Sequence, residues 1–405
     1  MKKFVKSVSC MAVCAMMAAS LAACSDDEPN GGGVGGEQSA KDVALKAAID
    51  PYVDNTVIPN YKVMADEAME LYDLCAKARD SFVAGDVATA NGYISDACEH
   101  WTRSREAWEL SEAWLYGAAA DYNIDPHIDS WPLDKQALVN LLANASMMQQ
   151  IGESGGAYVS ANLGYGLLGF HAIEYMLYEL SADGQSSSPR DLSHTLEGTT
   201  VTDNHLIYMA AVAEDLRNQC VRLEASWAGM DNVTQEKQQI LTDNELEPTK
   251  DYGQDMKLAG QPGSNYQSLT LAAQQIIQGA IDIVNEVNVQ KIGRPHSGQS
   301  TEDKNYIESP YALNSIVDFA DNIRSVRNAY EGQSGDASIS DYVATVAPDV
   351  DSEVRSLIQE SIDNIMLIPE PFALHATEQS AATAMESLTK LETALDKVND
   401  VLINN

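Results

Sequence analysis

Cysteine is scarce in this chain, and its placement excludes two common kinds of small structural site. Three of the six cysteines lie within the first 24 residues. The other three, Cys75, Cys98 and Cys220, are odd in number and follow no metal-binding spacing, so neither a disulfide framework nor a zinc knuckle is expected. Cys75 and Cys98 flank a predicted turn at Gly85-Asp86 at similar distances. A hairpin could bring them together, and the sequence leaves that bond open.

Basic residues are also few. The chain has 25 lysines and arginines against 60 aspartates and glutamates, which gives a formal net charge of −35. A surface with this charge repels nucleic acid and anionic lipid, so neither is expected as a partner. Hydrophobic residues make up 45% of the chain and charged residues 21%. This composition is typical of a folded protein rather than of a disordered acidic tail.

Long apolar runs and alternating patterns are missing from the sequence after its first 24 residues. No later stretch is long enough to span a membrane. No window alternates with period two, so strands are expected to be absent or trivial. From about Asp42, apolar residues recur at three- and four-residue steps, which predicts helices. One bundle of about 360 residues would be unusually large. We therefore predict an all-α protein with an N-terminal bundle over residues 42–195 and a C-terminal bundle over 196–405.

The first 23 residues have the features of a lipoprotein signal peptide. Three lysines near the start precede a short apolar run, and Leu21-Ala22-Ala23-Cys24 resembles a bacterial lipobox. We expect cleavage before Cys24 and acylation of this cysteine, with the lipid as the only contact with the membrane. Residues 24–41, which include a run of glycines, would then be a flexible tether.

The residues after Cys24 predict where the lipoprotein resides. Ser25-Asp26-Asp27-Glu28 resembles the acidic tag that sends some Gram-negative lipoproteins to the outer face of the outer membrane. An outer-membrane lipoprotein exposed on the cell surface is therefore expected. The periplasmic face is the alternative.

The segment Gly169-Phe170-His171-Ala172-Ile173-Glu174 carries the strongest chemical signal. On a helix, His171 and Glu174 lie three positions apart and point the same way. An imidazole and a carboxylate presented together form half of a metal site in helical bundles. The alternative is a hydrogen-bonded core histidine, since a chain this rich in acids yields about one H-x-x-E by chance. A second copy does occur at His375–Glu378, and nothing around it suggests a site.

A second candidate group lies on a helix predicted over Val87–Gly117. Arg105, Trp108 and Glu112 follow each other at helical spacing, so Glu112 would lie along a buried stripe. A buried carboxylate needs a cation, and Arg105 two turns earlier is one available partner. An ordinary structural polar network is the alternative interpretation.

Together these stretches resemble the imelysin-like family, which shares a helical domain with the EfeO-type periplasmic iron-uptake proteins. Gly169–Glu174 fits the family signature G-x-H-x-x-E. One departure is Ala312, where the family pattern often has a second serine three residues after the one matching Ser309. The other segments that carry the resemblance are Arg105, Trp108 and Glu112; Asp125–Asp129 with Trp131-Pro132; Glu308–Tyr311 with Asn314, Asp318 and Asn322; Tyr330–Gly332; and Pro369–Phe372.

The resemblance implies two helical bundles related by approximate two-fold symmetry, with the signature near their interface and Gly169 as a motif residue. Arg105 would steady one of the ligand carboxylates. Glu308 and Ser309 are further candidates for a site at the interface. The metal ligands implied by the resemblance are His171, Glu174, Glu112 and Asp129.

Three functions are compatible with these residues. The first is a metal-binding lipoprotein that serves iron acquisition, with outer-membrane iron-uptake components as its partners. Oxygen-rich ligands with one imidazole suit iron, with zinc or manganese as alternatives. The second is a metallopeptidase, as some family members are catalogued. Peptidase zinc sites carry two histidines on one helix, whereas Tyr175 follows Glu174 here. The third is a haem- or partner-binding scaffold. Enzymatic activity is the less favoured interpretation.

Overall fold

The computed structural model describes residues 39–405, so the predicted signal peptide, Cys24 and most of the tether lie outside the described residues. Within Ser39–Asn405, which form one compact unit, helices predominate and confirm the predicted all-α class. No helix in this part of the chain is both long and apolar enough to cross a membrane. Cys75, Cys98 and Cys220 are buried and free, so the disulfide left open between the first two is not formed.

The first nine α-helices of the described chain lie before residue 229. They are α1 (Ala40–Pro51), α2 (Ile58–Val83), α3 (Val87–Glu109), α4 (Ala118–Asp121), α5 (Asp125–Ile128), α6 (Lys135–Leu142), α7 (Ala145–Asn162), α8 (Gly169–Leu177) and α9 (Asp203–Ala228). A π-helical segment, Tyr52–Val57, joins α1 to α2 without a break. Short 3₁₀ turns lie at Glu112–Trp114 and Tyr165–Leu167.

The remaining helices of the described chain follow after a 3₁₀ turn at Met230–Asn232. They are α10 (Gln235–Asp243), α11 (Tyr252–Lys257), α12 (Leu269–Glu286), α13 (Gly293–Ser297), α14 (Thr301–Lys304), α15 (Ser315–Glu331), α16 (Ile339–Val346), α17 (Pro348–Met366), α18 (Phe372–His375) and α19 (Gln379–Asn404). A second π-helical segment, Val287–Ile292, continues α12 into α13.

Strands are trivial in residues 39–405, as predicted from the missing alternation. β1 (Tyr178–Leu180) pairs antiparallel with β2 (Ser187–Pro189), with Glu179 opposite Ser188. β3 (Thr195–Leu196) pairs in the same way with β4 (Thr199–Thr200). Both pairs lie in the connection between α8 and α9.

The long helices pack in two groups, one formed by α2, α3, α7 and α9 and the other by α12, α15, α17 and α19. This grouping differs from the predicted boundary between residues 195 and 196. Helix α9 follows that boundary yet packs against α2 and α7, and α1 packs against α12 and α16. The physical reason is length: α2 and α9 have 26 residues each, so they bury long apolar faces against one another. Contacts between α3 and α15 join the groups.

Helix α3 is shorter than the helix predicted over Val87–Gly117, and the difference changes where a candidate ligand lies. The helix ends at Glu109, and the N–H of Ser111 donates to the carbonyl of Trp108 at 2.8 Å. The Ser111 hydroxyl donates to the same carbonyl at 2.6 Å. These bonds tighten the chain into the turn Glu112–Trp114, so the first residue of that turn lies off the helical stripe on which it was predicted.

Gly169, the first residue of the signature, allows α8 to begin against the end of α5. Its φ is +72°, a conformation that favours glycine. A Cβ at this position would lie 2.0 Å from the carbonyl oxygen of Ile128, which is the last residue of α5. The residue after Ile128 is Asp129, and His171 lies two residues after Gly169. The glycine therefore sets the close approach that brings these two side chains together.

We expect Gly169→Ala to destabilise the protein by roughly 2–5 kcal/mol, because the new Cβ combines a strained backbone with a backbone clash. Gly92→Ala is the matched control, since a Cβ at Gly92 within α3 would meet no atom within 4 Å. It should stabilise the protein by roughly 0.5–1 kcal/mol. Urea unfolding midpoints of both variants measure the difference. Equal stability of the two variants would contradict this account of the glycine.

Candidate metal centre

A fully buried guanidinium, that of Arg105, lies at the centre of the buried polar cluster. Its Nη2 is 2.6 Å from Oε1 of Glu308, and its Nε is 3.4 Å from Oδ2 of Asp318. Glu109 and Asp129 are also ion-paired with it. These four carboxylates come from α3, from the segment after α5, from the loop before α15 and from α15 itself. One side chain of α3 therefore connects elements of both helix groups.

Lys291 supplies the second buried cation. It lies in the π-helical segment after α12, a kind of helical distortion that is frequent at functional sites. Its Nζ is 3.1 Å from Oε1 of Glu308 and 3.4 Å from Oε2 of Glu109. The Asn322 amide of α15 also donates to Oε2 of Glu109. Glu109 and Glu308 are thus each held by both cations.

His171 lies between two carboxylates, with one at each ring nitrogen. Its Nε2 is 3.0 Å from Oδ1 of Asp129, and its Nδ1 is 3.0 Å from Oε2 of Glu174. Burial and the charge of Arg105 both oppose protonation of the ring, but the two hydrogen bonds outweigh them and raise the pKa of His171 to about 9. The imidazole is therefore protonated at neutral pH and donates from both nitrogens.

Glu174 lies behind the imidazole, on the side away from Asp129. Its Oε1 accepts hydrogen bonds from the backbone N–H groups of Tyr311 at 2.7 Å and Ala312 at 2.8 Å. Its Oε2 is occupied by His171. Ala312 makes this contact through its backbone, so the absence of a serine side chain there leaves the contact intact. The carboxylate of Glu174 positions the ring.

The loop that holds Glu174 also carries two other candidates, Glu308 and Ser309. Ser309 has a φ of 47° and Leu313 a φ of 58°, a left-handed conformation uncommon for residues other than glycine. The Ser309 hydroxyl donates to Oδ2 of Asp318, and this bond holds the turn in place. The loop therefore places Glu308 beside Arg105 while its next residues reach Glu174.

Two groups of side chains have ligand atoms within 4.8 Å of one another, which is close enough to share an ion. The first group is Asp129, His171 and Glu308; the second is Glu109, Glu112 and Asp129. Of the four predicted ligands, the structure thus brings Asp129 and His171 together with Glu308. Glu112 lies in the second group with Glu109, and Glu174 belongs to neither.

Carboxylates outnumber cations in this buried cluster. Arg105 and Lys291 are the permanent cations, and His171 adds a third charge when protonated. The buried carboxylates that surround them are Glu109, Glu112, Asp129, Glu174, Glu308 and Asp318. An uncompensated negative charge inside a protein is costly. The cluster therefore has the electrostatic capacity for a further cation.

The pKa values of individual carboxyl groups show where this excess lies. Burial raises the pKa of Glu308 to about 7, and the nearby charge of Lys291 opposes the increase. Burial also raises the pKa of Glu112 well above its usual value, with Lys291 again opposing. At Asp129 burial is outweighed by Arg105 and by His171, which hold its pKa well below the usual range. Asp129, which belongs to both ligand groups, is therefore ionised at neutral pH.

A cleft of about 350 Å³ connects this cluster with the surface at His171. Trp131 lines this cleft together with His171, and its ring centroid is 5.9 Å from that of His171 and 5.2 Å from that of Tyr306. The Nζ of Lys291 lies 5.4 Å from the centroid of the same indole. The residues that line the cleft include Trp131, Lys135, His171, Asn305, Ile307 and Tyr311. A small ion can therefore approach the imidazole from solvent along this path.

Two members of the cluster, Glu109 and Lys291, were not singled out from the sequence. Glu109 lies four residues after Arg105, and this spacing on a helix was a usable signal for an ion pair. The predicted partner of Arg105 was Glu112 instead, because the helix was expected to continue through that residue. No local pattern in the sequence marks Lys291. Only the π-helical segment directs it inward.

Comparisons with known proteins agree with this fold. The family model of imelysin (peptidase M75) matches residues 57–401. Iron-regulated protein A of Synechococcus elongatus is 24% identical over 358 residues, which cover 87% of this chain and 83% of that protein.

Solved structures extend the comparison. A protein named as an iron-regulated protein A precursor, from Parabacteroides distasonis ATCC 8503, is 28% identical with a TM-score of 0.70 over 89% of this chain and 95% of its own. An imelysin-like protein from Psychrobacter arcticum 273-4, 15% identical, shares the fold with a TM-score of 0.53 over 90% of this chain and 94% of its own. Because the family match spans most of its length, the chain belongs to the imelysin family.

Proposed function

We propose that this protein binds a metal ion at Asp129, His171 and Glu308 and serves iron acquisition as a lipoprotein. The observation that carries the proposal is the convergence of these three buried side chains, whose ligand atoms lie within 4.8 Å of one another. They come from a loop after α5, from α8 and from the loop before α15. They are held in a cluster with more carboxylates than cations.

The residues present fit a cation on two counts. Oε2 of Glu308 is buried and has no hydrogen-bond partner within residues 39–405. Such a state is costly for a carboxylate oxygen, and a bound ion would relieve it. Nε2 of His171 and Oδ1 of Asp129 are 3.0 Å apart. Two ligands at right angles, each about 2.1 Å from one ion, have a separation of about 3 Å.

The neighbouring side chains have distinct roles in this proposal. Glu174 accepts the Nδ1–H of His171, which leaves Nε2 as the atom that would face the ion. Arg105 and Lys291 hold Asp129 and Glu308 in position and limit the charge that these carboxylates carry into the interior. The predicted ligand Glu174 is thus assigned the positioning role.

Iron is the ion we favour, with zinc as the alternative. Carboxylate oxygens with one imidazole suit iron, manganese and zinc. Two relatives of this chain are named iron-regulated protein A, or its precursor, which supports a connection with iron. Components of an outer-membrane iron-uptake system would be the partners.

We do not propose peptidase activity, although the family is also named as peptidase M75. Neither ligand group contains a second histidine. A metallopeptidase needs a base beside the ion, and Glu174, at the expected spacing from His171, has both oxygens occupied by hydrogen bonds.

We expect His171→Ala to abolish the binding of iron at this position, because the variant removes the imidazole and frees its two carboxylate partners to repel each other. His375→Ala is the matched control: it removes the histidine of the other H-x-x-E, which pairs with Glu378 at 2.7 Å at the surface. Elemental analysis and calorimetric titration with Fe²⁺ under anaerobic conditions, and with Zn²⁺, measure both variants. Unchanged binding in His171→Ala would refute the proposal, as would an equal loss in His375→Ala.

Metal affinity should rise with pH, by about tenfold per pH unit between the Glu308 pKa of about 7 and the His171 pKa of about 9, and more steeply below about 7. The reason is that the raised pKa keeps the ring protonated, so the ion must displace a proton. In the metal-free protein the effect of pH on stability through His171 has the opposite sign. The contribution of His171 to stability is present below its unfolded pKa near 6.5 and is lost as pH rises through about 9.

Calorimetric titrations in buffers with different ionisation enthalpies count the protons released on binding. In Glu174→Gln the neutral amide no longer favours the charged ring, so the affinity should reach its plateau at a lower pH than in the wild type. An affinity that does not change with pH in the wild type would contradict a metal bond to His171.

The full chain should fractionate with the outer membrane of a Gram-negative host and incorporate labelled fatty acid, because Cys24 is predicted to be acylated. Cys24→Ser should abolish both. Cys10→Ser, which alters a cysteine within the signal but outside the lipobox, is the control and should behave like the wild type. Labelling that persists in Cys24→Ser would disprove the predicted anchor. Added protease that degrades the protein on intact cells would place it on the outer face.

A further inference from the structure

We propose that Glu109, Glu112 and Asp129 form a second cation position, so that the centre holds two ions that share Asp129. The proposal rests on the proposed function for the first ion, at Asp129, His171 and Glu308, and adds a ligand class and a stoichiometry to it. The second group satisfies the same geometric condition as the first, since its three ligand atoms lie within 4.8 Å of one another.

Glu112 is the residue that points to a bound ligand rather than to a structural network. Its exposed fraction is 4%, yet its carboxylate makes no hydrogen bond and no ion pair within residues 39–405. The other buried carboxylates of the cluster each have such a partner, among them Glu109 and Asp129. A buried carboxylate is rarely left without one, because desolvation of the group is not then offset. A cation shared with Glu109 and Asp129 would supply the missing partner.

The surroundings of Glu112 contain more acidic groups than cations. Glu286, the last residue of α12, lies close enough for its charge to act on Glu112, and the charges of Asp125 and Glu286 act on each other. Helix α3 ends at Glu109, and the carboxyl end of a helix carries a partial negative charge. The charge of Lys291 also acts on Glu112, but this cation is shared between Glu109 and Glu308.

The ligand set defines the class of ion. All three side chains offer carboxylate oxygens, which favour hard cations such as manganese, magnesium, calcium and iron. The first position includes an imidazole and accepts softer ions as well. In proteins that bind two metal ions through a common carboxylate, the ions lie about 3.5–4 Å apart. Two overlapping groups of this size that share Asp129 match that arrangement.

The test is an anaerobic titration of the purified chain with Mn²⁺, followed by elemental analysis and low-temperature electron paramagnetic resonance. The wild type should bind two Mn²⁺ per chain and give the spectrum of a magnetically coupled pair. Glu112→Gln should bind one Mn²⁺ and give the spectrum of an isolated ion. Glu106→Gln is the matched control: it alters an exposed residue of α3 one turn before the centre and should keep two ions.

The wild-type measurements decide the proposal even if Glu112→Gln fails to fold. One Mn²⁺ per chain in the wild type, or two ions without magnetic coupling, would overturn it, as would a folded Glu112→Gln that keeps two. The failure of the proposed function is distinguishable, because His171→Ala would then bind as many ions as the wild type. If only the second position is wrong, His171→Ala loses the single bound ion and Glu112→Gln retains it.

Discussion

The buried ion pairs of Arg105 are the interaction on which the rest of the structure depends. Transfer of a guanidinium into a protein interior costs several kcal/mol, and only well-placed partners offset that cost. Arg105 has four, drawn from α3, the segment after α5, the loop before α15 and α15 itself. These elements cannot separate without leaving charge unpaired in a medium of low dielectric constant. The positions of Asp129 and Glu308 are therefore set before any ion binds.

The same network explains why the centre can accept a cation without collapsing in its absence. Asp129 remains ionised because Arg105 and a protonated His171 both favour its charged form. Glu308 has a pKa of about 7 because burial disfavours its charge, so a proton there can neutralise it near neutral pH. Protons thus occupy part of the excess negative charge in the metal-free state. Under the proposed function, binding of an ion would be an exchange of cations within a nearly fixed frame.

The sequence predicted the parts of the fold and site that depend on local patterns. Helical periodicity indicated an all-α protein, and the spacing of His171 and Glu174 placed both on one helix, α8. Local spacing does not determine which side of the imidazole each carboxylate occupies. That depends on the loop before α15, whose backbone N–H groups bind Glu174 and fix it behind the ring. The sequence thus predicts that His171 and Glu174 share one face of a helix. It does not predict that Glu174 positions the imidazole rather than binding the proposed ion.

Other features depended on tertiary contacts that no local pattern reveals. Helix α9 packs with the first group although it follows the predicted boundary, because its apolar faces match those of α2 and α7. Glu112 is off the α3 stripe because Ser111 turns the chain just before it. Lys291 reaches the cluster from a π-helical segment that no local sequence pattern marks. In each case burial of apolar surface or of charge outweighs local preference.

Helices and loops hold different residues of the centre, and this affects how the centre would exchange its ion. The two permanent cations lie on helical elements, Arg105 on α3 and Lys291 on the extension of α12. Of the proposed ligands for the first ion, only His171 lies on a helix, whereas Asp129 and Glu308 lie on loops. Those loops also supply residues that line the cleft, namely Trp131, Pro132 and Leu133 from the first loop and Asn305, Ile307, Pro310 and Tyr311 from the second. A movement that widens the cleft must therefore shift the segments that hold the carboxylate ligands. Because the ion pairs of Arg105 hold both carboxylates, such a movement would act against those ion pairs, so entry or release of the proposed ion would be coupled to the same contacts that fix its ligands.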